Sequence, residues 1–191
     1  MGILILGLVL FIGMHLVRIV APGLREAGLA KLGAMGWKIL YAVVSIAGVY
    51  LMGKGYGAYR AEGVTVVYDP PLWMGHITIL LMAFAFIFVV AGNLPATGHI
   101  KAKLKHPMLI GIKVWTIAHL LINGDLASIV LFGSLLAWAV FSVIGIKKRG
   151  LAPPVATSAK PDIAAVVIGL GLWLGFAMWL HTWLIGVPAI A

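Results

Sequence analysis

The sequence predicts an all-α integral membrane protein, a bundle of about six transmembrane helices in a single domain. Three observations carry this. Hydrophobic residues fill 63% of the 191 positions, charged residues only 10%, and the mean hydropathy is +1.12, far outside the range of a soluble domain. Six apolar stretches are long enough, or nearly so, to cross a bilayer, which takes about 20 residues of helix. The basic residues collect between alternate stretches, as membrane topology requires.

The expected spans run from Gly2 to Val20, Trp37 to Gly53, Trp73 to Gly92, Pro107 to Asn123, Leu126 to Ile146 and Ile163 to Gly186. The first lacks the positive n-region of a signal peptide, since its first basic residue is Arg18, so it is expected to stay in place as a helix. Before the second, GLAKLGAMG from Gly28 to Gly36 reads as a short interfacial helix. The connector from Lys54 to Leu72 ends in Asp69-Pro70-Pro71, which stops helix and resets the chain ahead of Trp73. Residues 147–162, KKRGLAPPVATSAKPD, read as a flexible cytoplasmic loop before the last helix at 163–186. Gly171 and Gly175 form a GxxxG that suggests close helix packing.

Orientation follows from the cations. Arg18, Arg25, Lys31, Lys38, Lys101, Lys103, Lys105, Lys147, Lys148, Arg149 and Lys160 all fall in the first, third and fifth connectors. The positive-inside rule then places both termini on the non-cytoplasmic side. The net charge of +9 is accounted for by this topology, and no basic, aromatic surface stands apart from the helices, so nucleic acid is not an expected partner. The chain has no cysteine, which excludes disulfides, thiolate metal sites and covalent haem attachment. Any metal must be held by His, Met or oxygen ligands.

The informative stretch is HPMLIGIKVWTIAHLLINGDL, from His106 to Leu126. It is apolar enough to span, yet it carries two histidines and a lysine, and an ionisable group in hydrocarbon is costly unless paired, snorkelled or liganded. At about 1.5 Å of rise per residue, His119 lies roughly 20 Å above the start of this helix, in its outer half. His76 and His181 also fall in the outer half, His15 and His106 in the inner. Met108, Ile112, Trp115, Thr116 and Asn123 share a side with His119, while His106 and Lys113 share another. On the first helix, Phe11 and Arg18 flank His15 one turn away on either side, so His15 could ligate a haem iron while Arg18 meets a propionate. The competing structural roles are an interhelical hydrogen bond for His15 or His119, snorkelling for Arg18 and Lys113, and interfacial-belt chemistry for His76 and His181. His99 falls in a loop without special context.

The HPML, K-x-W and AHLL-x-NG elements, followed by LLFGSLLAWAV, resemble the NnrU family of bacterial membrane proteins. Gly13-Met14-His15 with Arg18, the segment from Pro70 to His76, and Lys147-Lys148-Arg149 agree in order. The resemblance treats residues 1–191 as one NnrU-like transmembrane domain and is strongest over 1–150. It implies a bacterial inner-membrane protein that supports denitrification, in nitrite or nitric oxide reduction, as a redox or accessory factor. The family resembles in turn the plant 15-cis-zeta-carotene isomerases, which implies haem b as cofactor, with His119 and His15 as axial ligands. Thr116 stands where the plant enzymes carry a cysteine, so exchange between histidine and cysteine ligands is not expected. Depth separates His15 from His119 by about 10 Å, and His76 is the rival second ligand on that count. Arg18, Lys113 and Trp115 complete the candidate cofactor-binding set.

Two other functions stay open at this stage, a haem-dependent isomerase of a carotenoid or other isoprenoid and a non-catalytic assembly subunit. Expected partners are the lipid bilayer, a hydrophobic small-molecule substrate and a membrane redox protein. The HP-x-x-x-G element at His106 to Gly111 also faintly resembles integral membrane methyltransferases. The acidic, aromatic cofactor segment those enzymes need is missing after Gly145, where Asp162 is the one acid.

Overall fold

The computed structural model describes residues 1–150 and 152–190. They are all-α, with helices α1 (Gly2–Val20), α2 (Pro22–Glu62), α3 (Met74–Asn93), α4 (His99–Leu104), α5 (Pro107–Ile122), α6 (Leu126–Lys148), α7 (Lys160–Gly175) and α8 (His181–Ile185), the last two joined by a π turn at Phe176–Leu180. Among the described residues there is no strand, only an isolated bridge between Val66 and Asp125. Four single helices and the joined run Lys160–Ile185 span 19 to 41 residues each and are apolar enough to cross a bilayer. α5 has 16 residues, about 24 Å of helix, and falls short of a full crossing by length alone.

The chain forms two compact units, one of residues 1–68 with 124–138, the other of 69–123 with the chain from Ala139 onward. The first unit is built on an antiparallel α1/α2 seam set by small residues. A side chain at Gly7 would meet the Met52 amide nitrogen at 2.6 Å and the Gly48 carbonyl at 2.7 Å, and one at Gly55 would overlap the Leu4 backbone. Leu4 and Leu8 are buried there. This corrects the expected end of the second span at Gly53, because helix continues to Glu62 and Gly63, at φ 117°, ends it. Gly55, inside the expected connector, admits α1, and Tyr59 is buried beyond it. The expected interfacial helix is present but starts earlier, at Pro22, and Gly33 at φ 68° breaks α2 after it.

At the other end of this unit, the Asn-Gly-Asp turn into α6 receives the 65–68 segment. The Gly124 carbonyl accepts from the amides of Val67 and Tyr68 at 2.8 and 3.1 Å, and Leu126 N donates to Thr65 O at 3.0 Å. A side chain on Gly124 would overlap the Tyr68 carbonyl. Burial pushes the Tyr68 hydroxyl pKa up, with the Asp125 charge adding to the effect. Asp125 caps α6, accepting from Ser128 N at 2.9 Å and Ser128 Oγ at 2.5 Å, and the fully buried Ser128 hydroxyl also meets the Tyr56 hydroxyl at 2.7 Å. Ser128→Ala is expected to lower stability by about 1 kcal/mol, because it takes a hydrogen-bond partner from the half-buried Tyr56 hydroxyl and from Asp125. Thermal unfolding in detergent measures this, and Tyr56→Phe in the same background should recover part of the loss.

In the second unit α3 packs antiparallel on α5 and also contacts α7. Gly111 sits against Ala85 O and Val89, Gly92 against Met108, and a side chain at Gly169 would meet the Ile87 Cα at 2.7 Å. The close approach of α7 is therefore at Gly169. Gly171 and Gly175, the expected GxxxG, have nothing within 4 Å. The last helix begins at Lys160, three residues before the expected Ile163, because Asp162 in its first turn is tied down. Asp162 Oδ2 accepts from His99 N at 2.8 Å and pairs with His99 Nδ1 at 2.9 Å, while Oδ1 accepts from Ile100 N at 2.9 Å. His99 is thus not in a featureless loop; it opens α4, a helix the sequence reading did not anticipate. Within the 147–162 segment, Thr157 N and Oγ1 both donate to Thr97 O, at 2.9 and 3.1 Å. Asp162→Ala removes the cap of α4 and is expected to cost about 1 kcal/mol, measurable as a lowered Tm.

Candidate functional site

His119 lies one turn from the end of α5, half-buried. Its Nδ1 is 2.9 Å from the carbonyl of Trp115, one turn earlier. A carbonyl only accepts, so Nδ1 carries the proton and Nε2 carries the lone pair. This is the arrangement in which an imidazole serves as a metal ligand, with its second nitrogen holding the ring through a backbone carbonyl. Trp115 packs on the ring, centroids 5.2 Å apart, and Asn123 Nδ2 donates to the His119 carbonyl at 2.8 Å, closing the C-terminal turn.

Gly111, Thr116 and Ala118 are buried, and the Thr116 hydroxyl is spent on the carbonyls of Ile112 and Lys113 at 3.0 and 2.9 Å. Lys113 is half-buried, and among the described residues no carboxylate pairs with it. It lies about 9 Å from His119 toward the start of the helix.

One hydrogen bond sets the register of α3 against α5, from Thr78 Oγ1 to Ala118 O at 3.0 Å, with both residues buried. His76 lies two residues from Thr78 toward the start of α3, and His119 one residue past Ala118 toward the end of α5. Because the helices run antiparallel, both steps go the same way. The two histidines therefore differ in level by only about 1.5 Å. His76 is exposed on this unit. His181 belongs to the same unit and lies near His119; its own Nδ1 meets the Val187 carbonyl at 2.7 Å. The reading of His181 as an interfacial residue gave no sign of that proximity, since 62 positions separate the two.

At the start of α5 stands His106, its pKa pushed below the ordinary histidine value by burial and then by the charges of Lys105, Arg149 and Lys147. It is a neutral residue at a basic entrance.

His15 belongs to the first unit. Its Nδ1 meets the Phe11 carbonyl at 2.7 Å, so its lone pair is also on Nε2. Three aromatic rings surround it, Phe11 stacked at 4.1 Å, Tyr41 at 5.0 Å and Trp138 edge-on at 5.2 Å. Trp138 is buried and its Nε1 has no hydrogen-bond partner. Below the ring a cavity of about 300 Å³ is lined by His15, Arg18, Arg25, Trp37, Lys38 and Tyr41.

Among the described residues no three His, Asp or Glu side chains converge as a metal-ion site. A bare ion held by protein donors alone has no cage here. A haem asks less of the protein, one or two axial ligands and a cation for its carboxylates; His76 and His119 share a level in this unit, and Lys113 lies on another side of α5.

The fold defines a multi-pass helical membrane protein. A family model described as NnrU protein matches residues 3–189. The chain belongs to the NnrU family over nearly its whole length. No curated protein and no solved structure matches it.

Proposed function

We propose that this chain is a haem b-binding protein of the bacterial inner membrane that supports nitrogen-oxide metabolism as a redox or accessory factor. The observation that carries the reading is the His119 ring, whose Nδ1–H donates to the Trp115 carbonyl and so directs the basic Nε2 away from its own backbone. His76, level with His119 through the Thr78–Ala118 bond, is the second ligand in the same unit. Lys113 meets a propionate, and Trp115 packs on the ligand ring. His15 is the alternative ligand, in the other unit, with Arg18 one turn away.

Bound haem supplies one-electron transfer. The residues of the chain hold the His119 tautomer and orient its ring. The Thr116 hydroxyl, committed to two backbone carbonyls, offers no exchangeable thiolate, so the reading as an electron-transfer or accessory factor is preferred to that of an isomerase.

Electron paramagnetic resonance on the ferric protein tests the ligand pair. The expected spectrum is low-spin bis-histidine, turning high-spin in His76→Ala and unchanged in His15→Ala. A switch to high spin in His15→Ala alone would overturn His76 and assign His15.

A further inference from the structure

The cavity beneath His15 gathers three permanent cations from three pieces of chain. Arg18 comes from the last turn of α1, Arg25 from the short helix at 22–32, and Lys38 from the start of the long arm at 34–62. Two backbone devices bring them together. The Ala21-Pro22 turn folds the short helix away from α1, and the Gly33 break turns the chain again so that the Trp37 ring overlies Gly28, where any side chain would strike it. Lys38 and Tyr41 then follow on the arm beside the cavity.

Cations that merely snorkel spread out to separate headgroups. These three instead line one concavity of about 300 Å³ with no acid among its lining residues. The nearest acid in sequence, Glu26, is exposed, and among the described residues the single ion pair is His99 with Asp162. Like charges held around one cavity repel, and an anion between them removes that cost. The lining residues also have strongly exposed apolar neighbours in sequence, Val20 at 65%, Leu24 at 62%, Met35 at 68% and Ile39 at 57%. A free phosphate has no use for such a rim, whereas an acyl chain does.

We infer that this cavity is a binding site for the phosphate headgroup of an anionic phospholipid in the leaflet at the basic end of the molecule. Arg18 and Arg25 grip the phosphate oxygens, Lys38 closes over them, and the apolar rim receives the chains. The lipid wedges the short helix against α1 and the arm, the region where this unit is held by few buried side chains. The inference stands without the haem reading, since the test leaves His15, His76 and His119 in place.

The test is native mass spectrometry and thermal unfolding of the detergent-purified full chain with added phosphatidylglycerol, phosphatidylcholine or inorganic phosphate. The wild type should retain phosphatidylglycerol over phosphatidylcholine and unfold at a higher temperature with it. The triple variant Arg18→Gln, Arg25→Gln, Lys38→Gln should bind phosphatidylglycerol about tenfold or more weakly, since each cation near an anionic surface contributes on the order of 1 kcal/mol. The control Lys147→Gln, Lys148→Gln, Arg149→Gln removes the same charge elsewhere and should keep the preference. Equal loss in both variants, or no preference between the two lipids, would overturn the site. Full stabilisation by inorganic phosphate with no gain from lipid would replace the lipid by a free oxyanion. Should the triple variant not fold, Arg25→Gln alone, on the outer short helix, gives the same reading.

Discussion

Replacing His119 by alanine should strip the protein of its Soret absorption while leaving its helix content intact. The ring is half-buried and its loss removes one hydrogen bond to the Trp115 carbonyl, an acceptor already served within the helix, so the expected cost to folding is about 1 kcal/mol. On the proposed reading the cost to haem affinity would be far larger, because His119 would hold the iron. Thr116→Ala is the informative companion. Thr116 is fully buried, but its hydroxyl bonds only the backbone of its own helix, so haem should remain bound in that variant. Absorption spectra and circular dichroism of the two variants side by side separate loss of a ligand from loss of α5.

The second large effect is expected at Gly55. A valine there would drive its side chain into the Leu4 amide and Cα, which are backbone atoms of α1 and cannot turn aside. Overpacking of this kind costs about 1–3 kcal/mol when neighbours can shift, and the upper end is expected because Gly7 and Gly48 leave the same seam no slack one and two turns away. Gly57→Val, with nothing within 4 Å of its position, should have little effect beyond helix propensity. A lowered unfolding temperature in Gly55→Val but not in Gly57→Val locates the α1/α2 contact; equal behaviour of the two would contradict it.

These two positions show what the sequence discloses and what it does not. The hydropathy of the long apolar runs placed the spans, because burial in a bilayer demands about 20 apolar residues in a row. The same logic misplaced the end of α2. The stretch from Lys54 to Leu72 read as a connector, and only the partner helix reveals that Gly55 is a contact surface. The side of α5 shared by Trp115 and His119 followed from a spacing of four, whereas the bond from His119 to the Trp115 carbonyl, within its own helix, was not foreseen. The matching levels of His76 and His119 were approachable from rise per residue, since both positions fall in the outer half of their helices. The pairing of His99 with Asp162 was out of reach, since 63 positions separate them and neither belongs to a recognisable motif. The convergence of Arg18, Arg25 and Lys38 was likewise hidden. Counting cations finds their side of the membrane, but only the Gly33 turn makes them neighbours.

The measurement that bears most directly on the haem reading is a pyridine haemochrome assay, with an absorption spectrum, on the full chain purified from a host making haem. The expected result is haem b at about one per chain with a Soret band that His119→Ala abolishes. A wild-type protein that stays colourless after reconstitution with excess haem, while folded by circular dichroism, would contradict it.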